Sequence, residues 1–148
     1  VVFTGGPSEI ALVDGIRRDM RCASHSLAGK LDLGKLAAVI AQAAVMVSGN
    51  TGPAHIAAAL RTPIVDLYAL TNPQHTPWKV PSRVLYHDVP CRNCYKSICP
   101  LGHNACLAQI APSRVVAAVA ELLAATARGT REDESATSVL PHPFLEQL

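Results

Sequence analysis

The chain has 148 residues, of which 49% are hydrophobic and 16% charged, and its formal net charge is +2. That length suits one domain with a respectable core, and the composition is that of an ordinary soluble α/β protein rather than a disordered one. The charge is too small, and Lys and Arg too scattered, for a nucleic-acid surface, while no apolar run reaches the roughly 18–20 residues of a membrane span.

The chain opens with Val1-Val2-Phe3-Thr4, strand-like residues that precede the turn Gly5-Gly6-Pro7. A start inside a strand, without methionine or a secretory signal, leads us to expect a fragment of a longer protein. Ser8 and Glu9 begin a helix whose apolar face is Ile10, Leu12, Val13 and Ile16. Glu9 reads either as a first-turn acid complementing the helix dipole, or as a carboxylate at the C-terminal edge of a strand, where open α/β sheets bind ligands. Residues 21–27 hold a short second strand, and Leu31-Asp32-Leu33 leads into a helix over 34–44.

The stretch that organises the chain follows. Val45-Met46-Val47 is a buried-strand pattern, Ser48-Gly49-Asn50-Thr51 stops it, and Gly52-Pro53 opens a helix through Ile56-Ala57-Ala58-Ala59-Leu60. Strand, glycine turn and helix leave backbone N–H groups free at the positive end of the macrodipole, where phosphate is the usual guest. Thr51 adds a hydroxyl, and His55 falls about one helical turn further on, facing the same mouth or satisfied by a local carbonyl. Such a turn also serves plain chain reversal in many α/β proteins, so the pattern alone is weak.

Thr62-Pro63 ends that helix, and a fourth strand spans 64–68. The polar loop 71–78 carries the only tryptophan, Trp78, either as a functional group or as an anchor in a core gap. A strand returns over 83–86, and a closing helix spans 112–127 with Val115, Val116, Val119, Leu122 and Leu123 inward. Alternating strands and helices predict a parallel sheet with helices on both faces. From Arg128 the composition turns charged and rich in Ser and Thr, which predicts a flexible tail over 128–148.

Cys91, Cys94, Cys99 and Cys106 share the spacing C-x2-C-x4-C-x6-C, with His103 among them. Four thiolates, or three plus His103, suit a structural tetrahedral zinc; two disulfides and reduced thiols in a compact loop are the alternatives. Cys22 stands apart as a small core residue.

Gly5-Gly6-Pro7-Ser8-Glu9, Leu31-Asp32-Leu33, Asn50-Thr51-Gly52-Pro53-Ala54-His55-Ile56-Ala57-Ala58-Ala59-Leu60, Thr62-Pro63-Ile64-Val65 and Thr71-Asn72-Pro73 occur in that order. Together, over about residues 1–125, they resemble the C-terminal half of glycosyltransferase family 9, the ADP-heptose:lipopolysaccharide heptosyltransferases. The resemblance implies a GT-B architecture, with residues 1–127 as a Rossmann-like nucleotide-sugar-binding domain carrying a Cys-rich insert at 90–107. It implies an inverting transfer of heptose, or a related sugar, from an ADP-heptose-like donor to a lipopolysaccharide-type acceptor. No metal serves the chemistry, and the location is cytoplasmic or peripheral at the inner membrane.

By the same resemblance, Asn50, Thr51 and Gly52 hold the donor, with Thr51 and Gly52 on the diphosphate and His55 beside it. Glu9 meets the ribose or donor sugar, and Leu31 lines the adenine pocket. Many members carry aspartate where this chain has Asn50, which keeps an oxygen for sugar hydroxyls, loses the charge and gains two donors. That departure leaves a different nucleotide sugar open. No general base is evident: Glu9, Asp66 and Asp88 qualify by chemistry alone, and the resemblance puts the base in an N-terminal domain upstream of Val1. A second class of reading is a zinc-stapled α/β interaction module. A dinucleotide enzyme lacks the G-x-G-x-x-G that should follow the first strand.

Overall fold

In the computed structural model, which describes residues 1–69, 72–96 and 98–129, every strand pairing is parallel. Parallel pairing with intervening helices is the α/β, Rossmann-like class that the alternation predicts. The chain divides into two units, Val1–Val39 and Ile40–Leu148.

In the first unit, β1 (Val2–Phe3) pairs with β2 (His25–Ser26), and α1 (Ile10–Asp19) connects them. The pairing continues past the strands, with the Leu27 amide donating to Phe3 O and the Gly29 amide to Gly5 O. Gly29 holds φ +71°, a left-handed backbone that favours glycine, and a Cβ there would stand 2.9 Å from Ile10 Cδ1 and push that side chain aside. A 3-10 turn (Pro7–Glu9) precedes α1. α2 (Leu33–Ala41) starts behind Asp32, whose carboxylate accepts from the Lys35 amide at 2.8 Å. That bond, together with the Lys35 ammonium, holds the Asp32 carboxyl below its usual range. The helix stops at Ala41, short of the expected 44.

In the second unit, β3 (Met46–Gly49), β4 (Ile64–Leu67) and β5 (Ser82–Leu85) form a sheet in the order β3-β4-β5. β3 runs two residues beyond the expected Val47, because Ser48 and Gly49 pair with Asp66 and Leu67. α3 (Gly52–Ala59) joins β3 to β4 and packs on both. Ala54 and Ala57 are fully buried, so its contact side has no bulk. α3 ends with Arg61 at φ 59° and the Thr62 amide reaching back to Ala57 O. The buried Thr62 hydroxyl donates to Ile40 O at 3.0 Å.

α4 (Ala105–Ala108) and α5 (Pro112–Gly129) complete the unit. Val65 of β4 meets Ala118 and Leu122 of α5, with Val45, Leu67, Leu85, Val115 and Val119 around them. Val116 and Leu123, expected to face inward, are exposed. By strand alternation Ile64, Asp66 and Tyr68 point to the opposite face, and all three are buried too. Of the predicted tail, residues 130–148 lie outside the described residues, as does Thr71 of the expected 71–78 loop.

Candidate functional site

β3 ends at Gly49 and α3 begins at Gly52, so Asn50 and Thr51 alone make the turn. Thr51 is the residue before the helix, with extended backbone (φ −125°, ψ −179°), and its side chain does not cap the helix. Its amide donates to Gly49 O at 2.7 Å, and its hydroxyl makes only a long contact to the same oxygen at 3.4 Å. Pro53 has no N–H to offer, and the Ala54 amide turns back to Thr51 O at 2.9 Å.

A Cβ placed on Gly52 would meet nothing within 4 Å, so space opens in front of the helix N-terminus. Thr51, Gly52 and His55 are exposed and Asn50 is half-buried. The turn thus leaves fewer free N–H groups than expected: those of Thr51 and Ala54 are taken by backbone carbonyls and Pro53 has none, so the Gly52 amide and the Thr51 hydroxyl are what the helix start offers an anionic ligand.

Glu9 and Leu31 belong to the first unit, each just beyond the C-terminal end of one of its strands. Glu9 Oε2 accepts from the Gly6 amide at 2.7 Å, so the carboxylate closes its own turn. Glu9 is exposed, and its second oxygen has no such bond. Leu31 is half-buried. A shallow cavity of about 500 Å³ in this unit is lined by Ile10, Asp14, Arg17, His25 and Lys30, among others, and by neither Glu9 nor Leu31.

None of the three carboxylates that qualify as a base by chemistry is placed to serve as one. Asp88 pairs with Arg92 at 3.3 Å on the surface, and Glu9 closes its turn. Asp66 is 0% exposed, out of reach of any acceptor, and neither of its oxygens has a hydrogen-bond partner. Burial pushes its carboxyl up to about 7. The Tyr68 hydroxyl, also buried, is pushed up by burial and then by the Asp66 charge. Backbone groups of Asn72 and His75 act on that hydroxyl electrostatically without meeting hydrogen-bond geometry.

The cysteines depart from the zinc expectation. All five are free, and among the described residues no three His, Cys, Asp or Glu side chains come together as a metal-binding group. The physical reason is that the sulfurs serve different surroundings. Cys91 and Cys106 pack against the buried Tyr68 and Val89. Cys99 instead faces backbone amides, chiefly that of Asn104, which lower its thiol pKa. Cys91 Sγ lies 4.0 Å from His103 Nε2, while His103 Nδ1 accepts from the Ala105 amide. Cys22 is exposed rather than a core residue.

Comparison with known proteins places these features in a wider setting. Residues 1–105 match glycosyltransferase family 9 (heptosyltransferase). The chain is 31% identical over 140 residues to an Escherichia coli protein named lipopolysaccharide heptosyltransferase 3, covering 88% of this chain and 39% of that one. It is 26% identical over 128 residues to lipooligosaccharide heptosyltransferase 2 of Campylobacter jejuni, covering 83% and 40%. Among solved structures, the glycosyl transferase family 9 protein from Veillonella parvula superposes with a TM-score of 0.73 at 29% identity, over 84% of this chain and 36% of that one. The Escherichia coli ADP-heptose lps heptosyltransferase II gives a TM-score of 0.68 at 27% identity, with the same coverage. The chain thus spans about two fifths of the length of these relatives.

Proposed function

The chain belongs to glycosyltransferase family 9, and on that premise we propose that it is the donor-binding part of an inverting glycosyltransferase. The donor is a nucleotide diphosphate sugar of the ADP-heptose kind, and the acceptor a lipopolysaccharide core or similar glycan. The observation that carries this reading is the uncapped start of α3, with open space at Gly52. When a nucleoside diphosphate departs, negative charge grows on its terminal phosphate oxygen. Fixed backbone dipoles stabilise that charge without reorganising, and losing one such donor costs about 2.7–4 kcal/mol in other enzymes.

Thr51 and Gly52 take the diphosphate, Asn50 a sugar hydroxyl, and His55 flanks the phosphates. In the first unit, Leu31 takes the adenine, and the free oxygen of Glu9 accepts from a ribose hydroxyl. The proton of the acceptor goes to a base outside this chain, since Glu9 closes its own turn, Asp88 pairs with Arg92 and Asp66 is buried out of reach. No metal is assigned to the chemistry. The location that goes with the reading is cytoplasmic, peripheral at the inner membrane.

Calorimetric titration with ADP, UDP and GDP tests the site. We expect ADP to bind most tightly, and Thr51→Ala to weaken it about tenfold or more, the worth of a hydrogen bond to a charged group. Unchanged affinity in Thr51→Ala would put the diphosphate elsewhere.

A further inference from the structure

Asp66 sits where a carboxyl group contributes nothing to the packing of the sheet. It is 0% exposed, and neither of its oxygens has a hydrogen-bond partner. Burying such a group unpaired is costly, so its position calls for a reason beyond the core.

The sheet fixes where the group lies. Asp66 is in register with Ser48 of β3 and Val84 of β5, one residue before the β3–β4 ladder ends at Gly49 and Leu67. Val65 and Leu67 pack towards α5, and Arg83, beside Val65, pairs with Glu121 of that helix. By strand alternation the Asp66 side chain points to the opposite face. With α5 on the first face, α3, which packs on both β3 and β4, covers the second. α3 starts three residues after Gly49, so its first turn lies over the C-terminal end of β4. Ala54 in that turn is 0% exposed and places only a methyl group between helix and sheet. The carboxyl therefore stands behind the helix start whose outer side offers the Gly52 amide and the Thr51 hydroxyl.

Among the described residues no cation pairs with it. On its face β3 contributes Met46 and Ser48, and β5 contributes Ser82 and Val84. The Ser48 hydroxyl is turned to Gly49 O at 3.0 Å. Tyr68, two residues along the same strand, keeps its proton through neutrality because burial pushes its hydroxyl up. Cys91 and Cys106 lie beyond it, packed against Tyr68. The titratable group of α3 is the exposed His55. Burial pushes the Asp66 carboxyl up to about 7, so both of its forms are populated near neutral pH.

We propose that Asp66 is a proton-controlled counter-charge behind the donor site: with its proton on, the start of α3 takes a diphosphate, and with the proton gone the buried negative charge opposes it. This rests on the reading of the α3 start as the diphosphate site. An ionised Asp66 has the sign of the ligand, and a dry interior screens the two charges weakly. It also cancels part of the positive end of the helix dipole. Donor affinity therefore falls as pH rises through the titration of Asp66, and levels off above it.

The test is calorimetric titration of the 148-residue chain with ADP-ribose between pH 5 and pH 8.5. This probe carries its diphosphate as a diester, so it lacks the terminal phosphate proton of ADP, which leaves at roughly pH 6. We expect the parent chain to lose about tenfold in affinity over that range, and Asp66→Asn to hold its low-pH affinity throughout. Should Asp66→Asn fail to fold, Asp66→Ser removes the same charge and should give the same flat profile. A merely structural Asp66 would instead change affinity by one factor at every pH. His55→Gln removes the other group that titrates here, and should keep the fall. A fall that persists without Asp66, or vanishes in His55→Gln, overturns the proposal and gives the response to another group. A flat profile in the parent chain overturns it too, and leaves the diphosphate site standing. No binding by parent or variant at any pH overturns the diphosphate site and this inference with it.

Discussion

Asp66 is where a single residue most affects the behaviour of the molecule. Its folded pKa, about 7, lies above the 3.8 of an unfolded aspartate. Between those values the folded state holds a proton that the unfolded chain has released, so stability falls as pH rises and levels off above about 7. The contribution lost is up to roughly 4 kcal/mol across that window. We expect the melting temperature of the parent chain to drop between pH 5 and pH 8, and that of Asp66→Asn to drop less. Equal slopes in the two proteins would mean that the carboxyl is solvated after all. Gly29→Ala should cost about 1–2 kcal/mol or more, since the left-handed backbone and the Ile10 contact both oppose a Cβ. Denaturant midpoints measure it. The burial of Asp66 was not legible in Ile64-Val65-Asp66-Leu67-Tyr68, because a lone aspartate in an apolar run ordinarily faces water. A parallel strand is covered on both faces, and the pattern does not say which polar residue goes inside.

Among the elements, α3 separates a structural from a functional threonine. A threonine before a helix is ordinarily worth about 1 kcal/mol as a cap, but Thr51 does not cap α3. Thr51→Ala should therefore change the denaturant midpoint little while it weakens ADP binding. A large loss of stability with unchanged affinity would reverse the roles. At the other end of α3, Arg61 adopts φ 59°. Arg61→Gly should stabilise the chain by about 1 kcal/mol, read from thermal melting. The strand–turn–helix around Gly49 and Gly52 was legible because glycine, proline and helix formers mark its boundaries. α4 was not, because four residues embedded in the cysteine spacing carry no helical period. The spacing of those cysteines pointed to metal, yet the same residue type packs a small hydrophobic gap equally well, and Tyr68 supplies one.

At the scale of the molecule, a chain covering about two fifths of its relatives should bind donor without completing the reaction. On the proposed donor-binding reading, we expect measurable ADP affinity and no sugar transfer to a lipopolysaccharide acceptor from this chain alone. Turnover by the chain alone would place the base within it. The family likeness was legible because its motifs fall on turns, where residue type is dictated by backbone geometry. The outward position of Ile98 and Leu101 was not, because exposure of an apolar loop residue has no sequence signature. One consequence concerns attempts to retune the sugar preference. Ala54 and Ala57 leave no gap beneath α3, so a bulkier methyl-bearing residue at either would tilt the helix and carry its amides off target. Variation in an engineering library is therefore better spent on Asn50, half-buried in the turn before α3, than on this underside.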